Sequence, residues 1–179
     1  DAVNLAQANA SIINCVWDGA RSDGLDLDMC TGKIRNTKYL NCGNDGLDLM
    51  TSNMKITNCE FRSNGDKGVS IGESSSATLI NCNIVKNKIG SQIKDFSKAK
   101  FENISFVGNE IAIHSYQKKW IYRFGGMSYL NKCIFKNNMK ADLEITKKCR
   151  AYIDDPSGLN LKGSERIESG NSNYSDWLD

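Results

Sequence analysis

Asp23-Gly24-Leu25-Asp26-Leu27-Asp28 is followed 22 residues later by Asp45-Gly46-Leu47-Asp48-Leu49-Met50, and after the same interval by Lys67-Gly68-Val69-Ser70-Ile71-Gly72. Each copy alternates apolar and polar residues, the period of a strand buried on one face. Leu25 and Leu27 are expected inside, Asp26 and Asp28 outside. Weaker copies at Ile89–Lys94 and Ile111–Tyr116 continue the series, and Gly24, Gly46, Gly68, Gly90 and Ala112 hold one phase throughout. Self-similarity at a fixed period of this size marks a solenoid.

Working outward, a second segment recurs in most repeats as Ile34-Arg35-Asn36-Thr37-Lys38-Tyr39, Ile56-Thr57-Asn58-Cys59-Glu60-Phe61 and Leu79-Ile80-Asn81-Cys82-Asn83-Ile84. Asn14, Asn36, Asn58, Asn81 and Asn103 mark it at intervals of 22, 22, 23 and 22, and a diverged copy puts Lys132 in that column. Asparagine at a tight bend tolerates left-handed backbone angles, and stacked amides are expected to satisfy buried polar groups. Cys15, Thr37, Cys59, Cys82, Ile104 and Cys133 are expected to form one interior column. Trp17, Tyr39, Phe61, Ile84, Phe106 and Phe135 should form the next. Small buried thiols explain the cysteines. With coils about 4.8 Å apart, a disulfide stays open, and so does the redox state of Cys15, Cys59 and Cys82.

These columns predict an all-β, single-stranded right-handed parallel β-helix of about 22 residues per coil, with roughly six coils over residues 1–150 and a cap or tail over 151–179. A leucine-rich repeat has a similar period, but it requires more leucines per repeat and a helical return, whereas these return segments are β-branched and aromatic. A doubly wound α/β fold would need amphipathic helices, and none is legible.

The composition narrows the function classes. Length suits one domain, and the start at Asp1 is that expected of a fragment or processed product. No apolar run approaches the roughly 18 residues of a membrane span. Seven cysteines without a CxxC, beside a single histidine, argue against structural zinc. The net charge is only +2, yet residues 1–75 carry ten acidic and seven basic side chains while residues 76–150 carry fourteen basic and five acidic. Such a dipole along the axis would draw an anionic polymer to the later coils, unless the lysines are simply a solvated surface.

Ser22–Asp28, Asn44–Asp48, Gly65–Glu73, Ile89-Gly90, Lys94-Asp95 and Tyr116–Lys119 carry a resemblance. The columns resemble the right-handed parallel β-helix superfamily of pectate lyases and polygalacturonases. Over roughly residues 20–140 these stretches are more closely similar to β-helix domains of bacterial proteins linked to spore-coat-H-type kinase domains. The resemblance implies the fold and an extracellular or cell-envelope location. The Gly-His-Gly turn and Arg-Ile-Lys strand of polygalacturonases are missing. Asp23, Asp45 and Asp48 match in type and spacing the calcium-binding aspartates of some pectate lyases. Lys67 is the lysine on the following coil, though not at the family's position for the proton-removing base.

The outward columns are expected to read Asp26, Asp48, Ser70, Gln92, His114 and, beside it, Asp28, Met50, Gly72, Lys94, Tyr116. With Asp23 and Asp45 one coil apart, four carboxylates should crowd together and need a cation, lysine partners or protonation. Calcium, which takes six to eight oxygen ligands, is one answer. It would bridge to an acidic sugar, and Lys67 or Lys94 would serve as base. The alternatives are a solvated acidic face, Asp-Gly turns, and a Lys67 that merely pairs with Asp45 or Asp66. His114 is expected alone and exposed. The long connection Ser115–Leu130 carries Tyr116, Lys118, Lys119, Trp120 and Arg123, suited to sugar rings and their acidic groups, or else to a lid packed on the solenoid. The nearby acidic face argues against nucleic acid. Two functions result: a monomeric carbohydrate-facing domain of a longer chain that binds or cleaves an acidic polysaccharide, or a non-catalytic structural module of a surface or envelope protein.

Overall fold

A computed structural model describes residues 1–170 of the chain. They form a parallel β-solenoid of about seven turns, with no α-helix among them. Each complete coil has three strands rather than the two segments legible in the sequence. The first coil runs β1 (Val3–Ala6), β2 (Asn9–Ile13) and β3 (Val16–Asp18). Then follow β4 (Leu25–Asp28), β5 (Thr31–Arg35), β6 (Lys38–Leu40), β7 (Leu47–Met50), β8 (Asn53–Thr57) and β9 (Glu60–Arg62). The middle of the solenoid is β10 (Lys67–Gly72), β11 (Ser76–Ile80), β12 (Asn83–Val85), β13 (Ile89–Lys94), β14 (Lys98–Glu102) and β15 (Ser105–Val107). It continues as β16 (Ile111–Tyr116), β17 (Met127–Asn131), β18 (Ile134–Lys136), β19 (Ala141–Ile145) and β20 (Arg150–Ile153). Stacking gives one sheet from β1 to β19, a second from β2 to β20 and a third from β3 to β18.

The split of the second segment has a local cause. Asn14, Asn36, Asn58, Asn81, Asn103 and Lys132 all sit at φ between 52° and 57°, so each column member bends the chain through the left-handed region between two strands. Their side chains stack coil to coil, as in Asn36 Nδ2 to Asn14 Oδ1 at 3.2 Å and Asn103 Nδ2 to Asn81 Oδ1 at 2.8 Å. This ladder is exposed, contrary to the expectation that it satisfies buried groups.

The buried ladder is another one. At most inner corners a backbone N–H points into the core, and the side chain at the same place in the next coil accepts it; Ile104, in the cysteine column, breaks the series. Asn64 N, Asn87 N and Asn109 N donate to Oδ1 of Asn87, Asn109 and Asn138 at 3.0, 3.0 and 3.1 Å. Cys30 N donates to Ser52 Oγ, Ser52 N to Ser75 Oγ and Ser75 N to Ser97 Oγ, at 2.8 to 3.1 Å. The cysteine column fills the third corner, with Cys59 N to Cys82 Sγ at 3.5 Å. All seven cysteines are free.

Between the corners the core is mainly apolar, with Ser91, Ser115 and Ser128 buried there without a hydrogen-bond partner for their hydroxyls. Trp17, Tyr39 and Phe61 stack at 5.1 and 4.8 Å, and Phe106 stacks on Phe135 at 5.2 Å. Each buried ring is worth roughly 2–3 kcal/mol. The glycine column is a close-approach constraint: a Cβ on Gly46 would stand 2.7 Å from the Gly68 carbonyl oxygen of the next coil.

The sheets run past residue 150. β20 pairs with β17, and two short strands, β21 (Leu161–Lys162) and β22 (Ile167–Ser169), pair with β19 and β20. The remainder of the expected tail, 171–179, lies outside the described residues. No helix among the described residues is long and apolar enough to cross a membrane.

Asn87→Ala is expected to cost about 3 kcal/mol by urea unfolding, since it strips Asn64 N of its acceptor and opens the ladder in both directions. Asn83→Ala, on the exposed side of β12, should stay within about 0.5 kcal/mol of the parent.

Candidate functional site

The corner before the first sheet uses carboxylates as the inner corners use amides. Asp23 Oδ1 accepts from Asn44 Nδ2 and from the Asp45 amide, both at 2.7 Å. Asp45 Oδ1 accepts from the Lys67 amide at 3.0 Å. Both aspartates are buried. Lys67 Nζ lies 3.2 Å from Asp45 Oδ1 and 2.6 Å from Asp66 Oδ2, so two carboxylates hold it. Burial alone would push its ammonium down, but the contacts with Asp66 and Asp45 outweigh burial and hold it above its ordinary range. Burial pushes Asp45 up to about 6, against the pull of Lys67.

The outer face of the first sheet follows the expected register: Asp26, Asp48, Ser70, Gln92 and His114 are in-line neighbours, continued by Glu144. Asp28 and Met50 share the adjacent column, as do Lys94 and Tyr116. Between these columns lies a groove of about 260 Å³, with Asp26, Asp28 and Asp48 facing Lys94, Lys118 and Glu73. Lys94 runs its stem over Gly72, where a Cβ would lie 2.4 Å from Lys94 Cε, and its ammonium donates to Ser70 Oγ at 3.0 Å. Ser70, Gln92 and Lys94 are therefore buried rather than open to solvent. Burial, with repulsion from Asp28 and Asp48, raises the Asp26 carboxyl above the usual range, while Asn4 Nδ2 donates to it at 2.8 Å.

His114 is neither alone nor exposed. It is half-buried, its Nδ1 lies 3.0 Å from Gln92 Nε2, and its ring stacks on Tyr116 at 5.0 Å with 6° between planes. Burial lowers its pKa, favouring a neutral ring. Gln92, His114 and Tyr116 thus make a stacked, polar-edged platform, joined to the groove by the pairing of Tyr116 with Lys94.

The long connection is tied down. Asp95 Oδ1 accepts the Lys118 and Lys119 amides at 2.7 and 2.8 Å, and Lys119 Nζ pairs with Glu73 at 2.7 Å. Its far end docks through Phe96 N to the Phe124 carbonyl at 3.0 Å and through Phe96–Phe124 stacking at 6.3 Å. Lys118 reaches the groove. Trp120, 88% exposed, and Arg123, which sits over Phe124, do not line it.

The structure divides the sequence-derived set accordingly. Asp26, Asp28, Asp48, Ser70, Lys94, Lys118, Gln92, His114 and Tyr116 share one face. Asp23, Asp45 and Lys67 belong to the corner, their oxygens and ammonium taken up by backbone amides and each other. Among the described residues no three His, Cys, Asp or Glu side chains converge as a cation site, and Asp23, Asp45 and Asp48 do not fit one as a set. Asp95 and Glu73, which position the loop, lie in stretches that carry the family resemblance, but nothing in the sequence assigned them this role.

A family profile described as right handed beta helix region matches residues 1–165. No curated protein shows significant similarity to the chain.

Lys67→Met is expected to cost about 3 kcal/mol near pH 8, through an uncompensated buried Asp45, and roughly half of that near pH 5. The sign follows from Asp45: a carboxyl raised in the folded state loses folding stability as pH climbs from the ordinary carboxylate range through about 6. Removing Lys67 pushes that carboxyl higher still. Urea midpoints at the two pH values measure the difference.

Proposed function

Since the chain belongs to the right-handed β-helix family, we propose that it is a carbohydrate-binding module whose site is the groove and platform on the outer face of its first sheet. The observation that carries this reading is the meeting of Asp26, Asp28 and Asp48 with Lys94 and Lys118 in one groove, with Tyr116, stacked on His114, in register one strand on from Lys94. Carboxylates accept from neighbouring sugar hydroxyls, ammonium groups donate to ring or carboxylate oxygens, and an aromatic plane carries the apolar face of a sugar ring. The lining of the groove is drawn from successive coils, from β4 to β13 and the loop after β16, which suits a chain passing over several coils.

The same chemistry favours binding over cleavage. Lys67 is engaged by two carboxylates and held protonated, unlike a proton-removing base. Lys94 lines the groove as an ammonium donor, with one of its three hydrogens on Ser70 Oγ. An acidic polysaccharide would meet Lys94 and Lys118 at one end of the groove and be repelled by three aspartates at the other unless a cation intervened. Likeness to the spore-coat-H-linked domains supports a place within a longer extracellular or envelope protein.

Titration calorimetry against neutral, uronate and sulfated oligosaccharides, with and without calcium, tests the proposal. Asp48→Asn and Tyr116→Ala should each weaken groove binding about tenfold, the equivalent of about 1.4 kcal/mol, at unchanged melting temperature. A panel that yields no binder, or a binder indifferent to both substitutions, would refute it. Release of unsaturated sugar product would replace binding with lyase chemistry.

A further inference from the structure

A second concavity lies at the corner between the first and second sheets in the later coils. Successive turns build it: the turn from β13 to β14, the end of the long loop, the turn from β19 to β20, and the short 3-10 turn Ser164–Arg166. Its volume is about 550 Å³, roughly twice that of the groove and within the range of about 300–1,000 Å³ typical of small-ligand sites. Phe96 and Phe124 form one wall and, although stacked on each other, are 44% and 45% exposed. Met127 continues that wall inward.

The polar lining has one dominant sign. Lys98, Lys148, Arg150 and Arg166 face the cleft, and Glu165 is the one acid among its lining residues. Glu165 is already paired to Arg166 Nη2 at 2.6 Å. Arg166 is also held in place by Nη1 donating to the Ile145 carbonyl at 3.1 Å, so its guanidinium is fixed before any ligand arrives. Arg150 is steadied by Glu168 at 2.7 Å. Four cations against two carboxylates, Glu165 and Glu168, leave an excess of positive charge beside two exposed rings, which suits a ligand with an oxyanion and an apolar face.

We infer that this cleft is a second binding site, separate from the groove, for one anionic sugar unit: its ring face lies on Phe96 and Phe124, and Lys148, Arg150 and Arg166 hold its carboxylate or sulfate. The inference rests on the carbohydrate reading only for the kind of ligand, because none of the cleft's lining residues lines the groove. It also gives the basic second half of the sequence a specific use. A glycan could be held at two points, by hydroxyl recognition at the groove and by charge at the cleft.

The test uses the full chain and three short probes: a uronate oligomer, a sulfated oligomer and their neutral parent. One or both anionic probes should bind with an affinity that falls steeply as salt rises, and the neutral parent should not bind at the cleft. Lys148→Gln and Phe124→Ala should each weaken the anionic probe at least fivefold, while Asp48→Asn leaves it unchanged. The pattern of uronate against sulfate identifies the anion. Absence of binding by both anionic probes overturns the inference, as does binding that neither cleft substitution alters. Loss in Asp48→Asn alone would place the ligand in the groove and remove the cleft while sparing the first proposal.

Discussion

The stacking of most coils in this protein depends on amide hydrogens that point toward the core at the corners and find an acceptor in the next coil. Strand amides are satisfied by parallel pairing, but at a bend the ladder lapses and the N–H turns inward, where an unpaired amide costs about 1–3 kcal/mol. The chain answers with small polar side chains at three corner columns: Cys30, Ser52, Ser75 and Ser97; Cys15, Thr37, Cys59 and Cys82; Cys42, Asn64, Asn87 and Asn109. The space between corners is filled mainly by apolar residues, because strand amides there are satisfied by pairing within the sheets.

The same requirement explains why two of the most conspicuous aspartates are not on the outer face. Asp23 and Asp45 extend the device to the entry of the first sheet, each accepting the amide one coil on. Their charge is then buried, and Lys67 is drawn in between Asp45 and Asp66 to offset it. What remains outward on that sheet is a smaller set, in which Asp26, hydrogen-bonded by Asn4, and Asp48 stand one strand apart and line the groove.

A single insertion gives the solenoid its asymmetry. The long connection after β16 is pinned by Asp95 at its start and by Phe96 at its end, and it brings Lys118 to the groove while exposing Phe124 beside the basic corner. A uniform stack would present repeated, shallow surfaces. This one has an acidic groove in its earlier coils and a basic, aromatic cleft in its later ones, matching the uneven charge along the sequence.

Much of the architecture is local, and so it was legible. Alternation in Leu25-Asp26-Leu27-Asp28 sets which side chains face inward, the 22-residue interval sets their neighbours, and the asparagines at Asn14 to Asn103 mark bends, since left-handed backbone favours that residue type. These features need only chain geometry and period. The third strand per coil was hidden because the bend lies inside an otherwise continuous apolar pattern. The buried ladder of Asn64, Asn87 and Asn109 keeps the 23- and 22-residue spacing of Asn58, Asn81 and Asn103 but reads as ordinary turn asparagine until its surroundings are known. Whether a carboxylate faces water or a backbone amide, whether Lys67 is free or clamped, and which turns converge into a cleft were decided by tertiary structure alone. Each depends on the direction of a side chain relative to the adjacent coil, and a one-dimensional repeat carries position along the coil but not that direction at its corners.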